Sequence, residues 1–251
     1  MRSRSILAPG IIWTLCQTAV WAQVVVPAPP QKEEASPVVA FLRAVADDAR
    51  RLPSRETALI LGSAGAVSLG VHRYDRVVTS RAAASSGLDS ALEPGEILGG
   101  GALQAGGALA TLVAGRLMRH DSLTALGGDL VRAHVLNAAL TQGLKVSFRR
   151  ARPDGGSYSF PSGHTSSSFA VATVLGRRLG WRVGVPAHAV AAYVAASRLQ
   201  ENRHFLSDVV FGAAVGVVAG RAVSIGRPSH RLTLAPVVAP GTVGLAVSLG
   251  P

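Results

Sequence analysis

Apolar positions recur at helical spacing along most of the chain. Within residues 37–51, Val38, Phe41, Leu42 and Val45 fall on one face. Residues 57–71 form an uncharged run of about four helical turns, and residues 97–115 are the longest uncharged stretch, Gly-rich and containing Gln104. The helical pattern resumes over 122–144 and delivers Lys145, then again over 165–179, where Gly180 supplies a C-terminal stop. Residues 186–197 predict a short Ala-rich helix, and 208–225 another. Between these, 75–96 is polar with a turn signal at Glu93-Pro94-Gly95. Residues 149–160 read as a loop built on Pro153, Asp154, Gly155, Gly156 and Ser157. The fold class that follows is all-α: a helical bundle of about six core helices. Residues 232–238 and 243–249 are β-branched and apolar around Ala239-Pro240-Gly241, a signal for a short C-terminal β-hairpin.

A bilayer-spanning helix needs about 20 mostly apolar residues. Only 97–115 comes close, and its glycines lower its hydrophobicity. The remaining uncharged runs, about 12–15 residues, suit buried core helices better than spans. The N-terminus reads as an export signal over residues 1–22. Arg2 and Arg4 lead the apolar stretch from Ile6 to Val20, and Val20-Trp21-Ala22 ends it. Residues 23–37 read as an extended linker, 38–226 as the helical domain and 227–251 as the tail. Cys16, the only cysteine, lies inside the signal, so the exported chain would have neither a disulfide nor a catalytic thiol.

The formal charge of +11 is carried almost wholly by arginine; Lys32 and Lys145 are the lysines. No aromatic-interleaved basic repeat occurs, which argues against nucleic acid and favours an acidic membrane surface or phosphate esters as partners. The expected location is exported and periplasmic. Contact with the membrane surface, or insertion into the inner membrane, stays open, as does the oligomeric state.

Three short strings gather the candidate chemistry. His204 and Asp208 stand four apart, and Ser207 is a good N-cap. Whether they share a helical face or flank a helix start, the carboxylate can fix the imidazole tautomer and leave the other nitrogen as a nucleophile. Pro161-Ser162-Gly163-His164-Thr165 leads into a helix, where free N–H groups and the Ser162 hydroxyl form an anion site beside His164. Lys145, Arg152 and Arg198 lie near helix ends or breakers and offer charge for phosphate oxygens. Arg149, Arg150 and Arg203 fall off these positions and read as a solvated basic loop. Each string alone has a structural reading: a His–Asp pair at a helix start, a Pro-Ser-Gly turn, a basic loop.

Together, Lys145, Arg152-Pro153, Pro161-Ser162-Gly163-His164, Ser197-Arg198, His204 and Asp208 resemble the type-2 phosphatidic acid phosphatase superfamily. That superfamily also includes bacterial acid phosphatases and vanadium haloperoxidases. The resemblance covers roughly residues 145–208. It implies a helical bundle and metal-independent hydrolysis of phosphomonoesters or of lipid phosphates and pyrophosphates. It also implies His204 as the nucleophile, Asp208 as its orienter and His164 as the acid. Lys145, Arg152, Ser162, Gly163 and Arg198 would hold the phosphoryl oxygens. No metal or other cofactor is expected. Alternatives on the same pocket are a vanadate-dependent haloperoxidase and a non-catalytic binder of phosphate or anionic lipid. His72, His120, His134, His188 and His230 lie outside the pattern and read as surface or satisfied histidines.

Overall fold

The computed structural model describes residues 36–224 and the backbone of 231–239 and 242–250. The segment read as an export signal, nearly all of the segment read as a linker, and His230 lie outside the described residues. The helices are α1 (Pro37–Arg50), α2 (Arg55–His72), α3 (Asp75–Ala83), α4 (Asp89–Leu92), α5 (Pro94–Gly99), α6 (Gly101–Leu117), α7 (Asp121–Phe148), α8 (Gly163–Leu179), α9 (Trp181–Gln200) and α10 (Leu206–Ser224). The backbones of β1 (Arg231–Ala239) and β2 (Thr242–Gly250) pair antiparallel, from Arg231 opposite Gly250 to Ala239 opposite Thr242.

Local chemistry explains the helix starts. Ser54 accepts the Thr57 amide at 3.1 Å, Ser162 the Thr165 amide at 3.4 Å, and His120 Nδ1 the Leu123 amide at 3.2 Å, each covering an otherwise unpaired N–H. Glu93-Pro94-Gly95, read as a turn, instead opens α5 with Pro94 in its first turn, where a missing N–H costs nothing. The helix expected over 186–197 is longer. It spans 20 residues with Pro186 inside its early turns. Close packing overrides the local break: a Cβ added at Gly184 would lie 2.7 Å from Gly176 Cα on α8.

Backbone proximity builds the bundle. Along one stripe of α10, Gly212, Gly216 and Gly220 face α8. An added Cβ would sit 2.8 Å from Ser162 O at Gly212 and 2.7 Å from Ala170 O at Gly220, and would collide with Ser166 O at Gly216. Gly115 and Gly127 bring α6 and α7 equally close. The core is correspondingly small-grained, with Ala133, Ala170, Val174, Val194, Val215 and Ala219 all buried.

The large apolar side chains point the other way. Leu59 on α2 is 72% exposed, Leu69 80%, Leu117 on α6 78% and Trp181 on α9 73%. The uncharged runs are therefore not simply core helices. They belong to helices of 17–20 residues whose leucines face outward while alanine, serine and glycine face inward. Of the described helices, α10 is by itself long and apolar enough to cross a membrane, although two-thirds of it is buried; α4–α5 and α6 pass the same test as a pair bent by 51°.

At the end of the bundle away from the three motif strings, an ionic cluster ties four helices. Arg132 on α7 donates to Asp48 on α1 at 2.6 Å and to Asp129 at 2.5 Å. Arg178 on α8 donates to Asp129 at 2.6 Å, and Arg132 also reaches Val223 O on α10 at 3.4 Å. Buried charges paired in this way fix register, because losing one partner strands the others.

We expect Gly216→Ala to destabilise the protein by at least about 1–3 kcal/mol, the usual cost of overpacking. Gly106→Ala on α6, where an added Cβ meets nothing within 4 Å, should be neutral or stabilising by up to about 1 kcal/mol. Thermal unfolding in detergent distinguishes the pair, and equal midpoints would contradict the packing account.

Candidate active site

One end of the bundle collects the candidate residues of the three strings, from Lys145 to Asp208. The close approach of α10 to α8 does much of this. Ser162 N donates to Asp208 O at 3.0 Å, so the first turns of the two helices meet. Ser162 caps α8, and its hydroxyl oxygen accepts from both the Thr165 amide and the Thr165 hydroxyl, leaving its own proton to donate. Gly163 opens α8, and a Cβ there would lie 3.9 Å from Lys145 Cε. Lys145, in the last turn of α7, donates from Nζ to Tyr158 O at 2.5 Å. His164 follows Gly163 and packs against Gly99 of α5, where an added Cβ would come 3.1 Å from the ring.

Arg152 is placed by the loop after α7. Its amide bonds Gly156 O at 2.7 Å and its Nε bonds Ser157 O at 3.0 Å. Arg198, near the end of α9, is 2% exposed and pairs with Glu201. Its carbonyl accepts the amides of Arg203 at 3.1 Å and His204 at 3.2 Å, which folds the α9–α10 link back and sets the His204 ring beside the cations. The geometry answers one open point: α10 begins at Leu206, so His204 stands before the helix while Asp208 lies in its first turn.

Asp208 is fully buried. Oδ2 accepts the Phe205 amide at 2.9 Å, a carboxylate reaching back to the helix start, and also the Ser159 hydroxyl. The same oxygen lies 3.7 Å from His204 Nδ1, beyond hydrogen-bond length but close enough for charge to orient the ring. Oδ1 accepts Arg150 Nη1 at 2.6 Å.

Arg150 corrects the sequence reading. It is not a solvated loop arginine: besides Asp208 it bonds Asp75 Oδ2 at 2.7 Å and Ser207 Oγ at 2.7 Å, and its guanidinium lies over the Phe205 ring at 4.3 Å. Asp75, at the start of α3, in turn accepts the Ser207 amide at 2.9 Å and the Ser207 hydroxyl at 2.5 Å. Sequence reasoning missed Asp75, Ser159 and Ser207. Nothing local marks Asp75 as part of the site, since its partners there, Arg150 and Ser207, lie 75 and 132 residues away; Ser159 and Ser207 do adjoin the motif strings, and that proximity was the available signal. Arg203 does pair, with Asp154 at 2.9 Å, and Arg149 caps α7 in a left-handed conformation.

Burial, chiefly, pushes the His204 imidazole below its ordinary value; Asp208 opposes this, while Lys145 and Arg152 reinforce it. The ring therefore stays neutral at neutral pH, with Nδ1 turned to Asp208 and Nε2 left for chemistry. Of the other described histidines, His72 Nδ1 lies 3.0 Å from Asp75, His120 caps α7, His134 contacts Ser167 and His188 contacts Gly184 O. Among the described residues, no group of three or more His, Cys, Asp or Glu side chains is arranged to hold a metal.

With this geometry established, comparison with known proteins gives a consistent picture. The family model of the PAP2 superfamily matches residues 127–231, which take in most of α7, all of α8 to α10 and every candidate site residue from Lys145 to Asp208. Lipid A 1-phosphatase of Porphyromonas gingivalis is 42% identical over 102 residues, 37% of this chain and 23% of that protein. Lipid A 4'-phosphatase of Helicobacter pylori is 27% identical over 100 residues, 35% of this chain and 50% of that protein. The chain thus spans half or less of the length of these curated relatives. The crystal structure of Aquifex aeolicus LpxE superposes with a TM-score of 0.50 at 23% identity, covering 59% of this chain and 93% of that one; it shares the fold.

Arg150→Ala should cost about 3 kcal/mol of stability. Breaking a buried pair leaves a carboxylate uncompensated, and the low end of that range applies because the Arg150 side chain keeps 22% exposure. Thermal unfolding checks this, and a midpoint equal to that of the unsubstituted protein would contradict the assigned network.

Proposed function

We propose, from the premise that residues 127–231 are a PAP2 superfamily domain, that the protein is a membrane-seated phosphatase acting on lipid phosphates through a covalent phosphohistidine. The observation that carries this reading is the gathering of His204, Asp208 and His164 with Lys145, Arg152, Arg198 and the start of α8 at one end of the bundle. Nε2 of neutral His204 attacks phosphorus. The equatorial oxygens are held by Lys145, Arg152 and Arg198, by the Ser162 hydroxyl and by the Gly163 amide, so that developing charge meets groups already in place. In the free protein burial, and then the Arg198 charge, push the His164 imidazole down to about 4; the bound phosphate anion offsets both, so that a protonated His164 gives its proton to the leaving alcohol as the P–O bond breaks. His164 then takes a proton from water, whose oxygen attacks phosphorus and breaks the P–N bond. Inorganic phosphate leaves and both imidazoles return to their starting forms. Asp208 stabilises the positive charge on the His204 ring while it carries phosphate.

Two observations support a lipid substrate and a membrane seat. Both curated relatives are described as lipid A phosphatases. The outward leucines of α2 and α6 and the exposed Trp181 put large apolar side chains on the outside of the bundle, where lipid would cover them. Helices of 17–20 residues rise about 26–30 Å, near the thickness of a hydrocarbon core.

Purified protein in detergent should release inorganic phosphate from phosphatidic acid and from phosphorylated glycolipids. His204→Ala should lower kcat on the order of a thousandfold or more with an unchanged unfolding midpoint; retention of full turnover would refute the nucleophile. Because burial lowers the His204 pKa, the base form persists as pH falls through the ordinary imidazole range near 6.5. The acid limb of kcat/KM should therefore lie below about 6.5, and a limb above it would contradict the assignment. In cell fractions the protein should stay in the membrane pellet through an alkaline carbonate wash; full release would remove the membrane seat.

A further inference from the structure

A cavity of about 790 Å³ lies beside the phosphate site, between the α2–α3 corner and the loop of residues 149–160. Its walls carry an unusual charge balance. Arg73, Arg76 and Arg152 line it, and none of the three forms an ion pair among the described residues. The one acid on the wall, Asp75, is already occupied by Arg150 and by the amide and hydroxyl of Ser207. Arg150 is likewise neutralised, by Asp75 and Asp208. His72, Thr79 and Asn202 add polar edges. Arg152 donates to Ser157 O and Arg73 lies over the Tyr74 ring, but neither contact neutralises charge, and three guanidiniums without a carboxylate partner around one concavity repel one another unless an anion sits between them. Arg152 belongs to both sites, so an anion held here lies one side chain away from the phosphoryl group at His204.

We infer that this cavity binds a second phosphate of the same substrate whose first phosphate reacts at His204, so that the enzyme prefers bisphosphorylated molecules. The inference rests on the phosphatase reading above and narrows its substrate class. Guanidinium suits the task, since its planar fork matches phosphate oxygens. Arg76 is exposed and held by no other group among the described residues, and it is the residue whose loss isolates the effect. One charge-assisted contact contributes about 1.5–3 kcal/mol, or roughly ten- to a hundredfold in affinity.

The test uses the full chain carrying His204→Ala, so that binding is measured without turnover. Its ligands are alkanediol monophosphates and the matching bisphosphates, with spacers of increasing length. Within a limited range of spacers, the bisphosphate should bind about tenfold or more tightly than its monophosphate. Adding Arg76→Ala should cut that advantage to about twofold and leave the monophosphate dissociation constant unchanged. No advantage at any spacer, or equal weakening of both ligands by Arg76→Ala, overturns the proposal. So does loss of phosphatidylglycerol binding in Arg76→Ala without any bisphosphate advantage, because the cavity would then hold a separate lipid headgroup. Phosphate release by the unsubstituted protein is assayed in parallel. Its absence would count against the phosphatase reading alone, while the binding comparison would still decide the subsite.

Discussion

A carboxylate with no access to solvent must be satisfied by its surroundings, and Asp208 sets that requirement at the centre of this fold. Its partners come from four places in the chain: the Phe205 amide at the start of its own helix, Ser159 in the loop before α8, Arg150 after α7 and, through Arg150, Asp75 on α3. The first three of these fix elements that also carry candidate site residues. The loop holding Ser159 leads into Ser162 and His164. The segment holding Arg150 also holds Arg152. The helix holding Asp208 is preceded by His204. One buried charge thus positions the start of α8, His204, the proposed nucleophile, and the segment carrying Arg152 relative to one another.

The glycine stripe on α10 makes that arrangement reachable. Side chains at Gly212 and Gly216 would hold α10 away from α8 and move His204 away from the Ser162–His164 turn. Small residues inside and large ones outside also suit a bundle that gains little from burying leucine and much from backbone contact, which is the balance expected where lipid replaces water around the helices. The ionic cluster of Asp48, Asp129, Arg132 and Arg178 at the other end locks the register from below.

Much of this was legible in the sequence, for identifiable reasons. The helices over 122–144 and 165–179 carried strong periodicity and clear stops, and α7 and α8 lie there. The motif residues were readable because their chemistry is local: a capping serine, a glycine and a histidine at a helix start, and a histidine four before an aspartate. The part that escaped depends on long-range pairing. Arg150 looked like one more arginine in a basic run until Asp75, distant in sequence, was seen to meet it. The outward leucines escaped because a helix with apolar residues on most of its circumference shows no face, and composition alone does not tell which side lipid would take. The length of α9 escaped because Pro186 reads as a break, whereas the Gly176–Gly184 contact with α8 stabilises an unbroken helix.

The central claim is that the His204 ring carries the phosphoryl group between two half-reactions. Rapid quenching at alkaline pH during turnover, followed by proteolysis and mass spectrometry, tests it most directly. The account predicts a phosphate mass increment on the peptide containing His204, localised to that ring and absent from His204→Ala protein. Turnover at full rate with no phosphorylated histidine at any quench time, or with the phosphate on another residue, would contradict it.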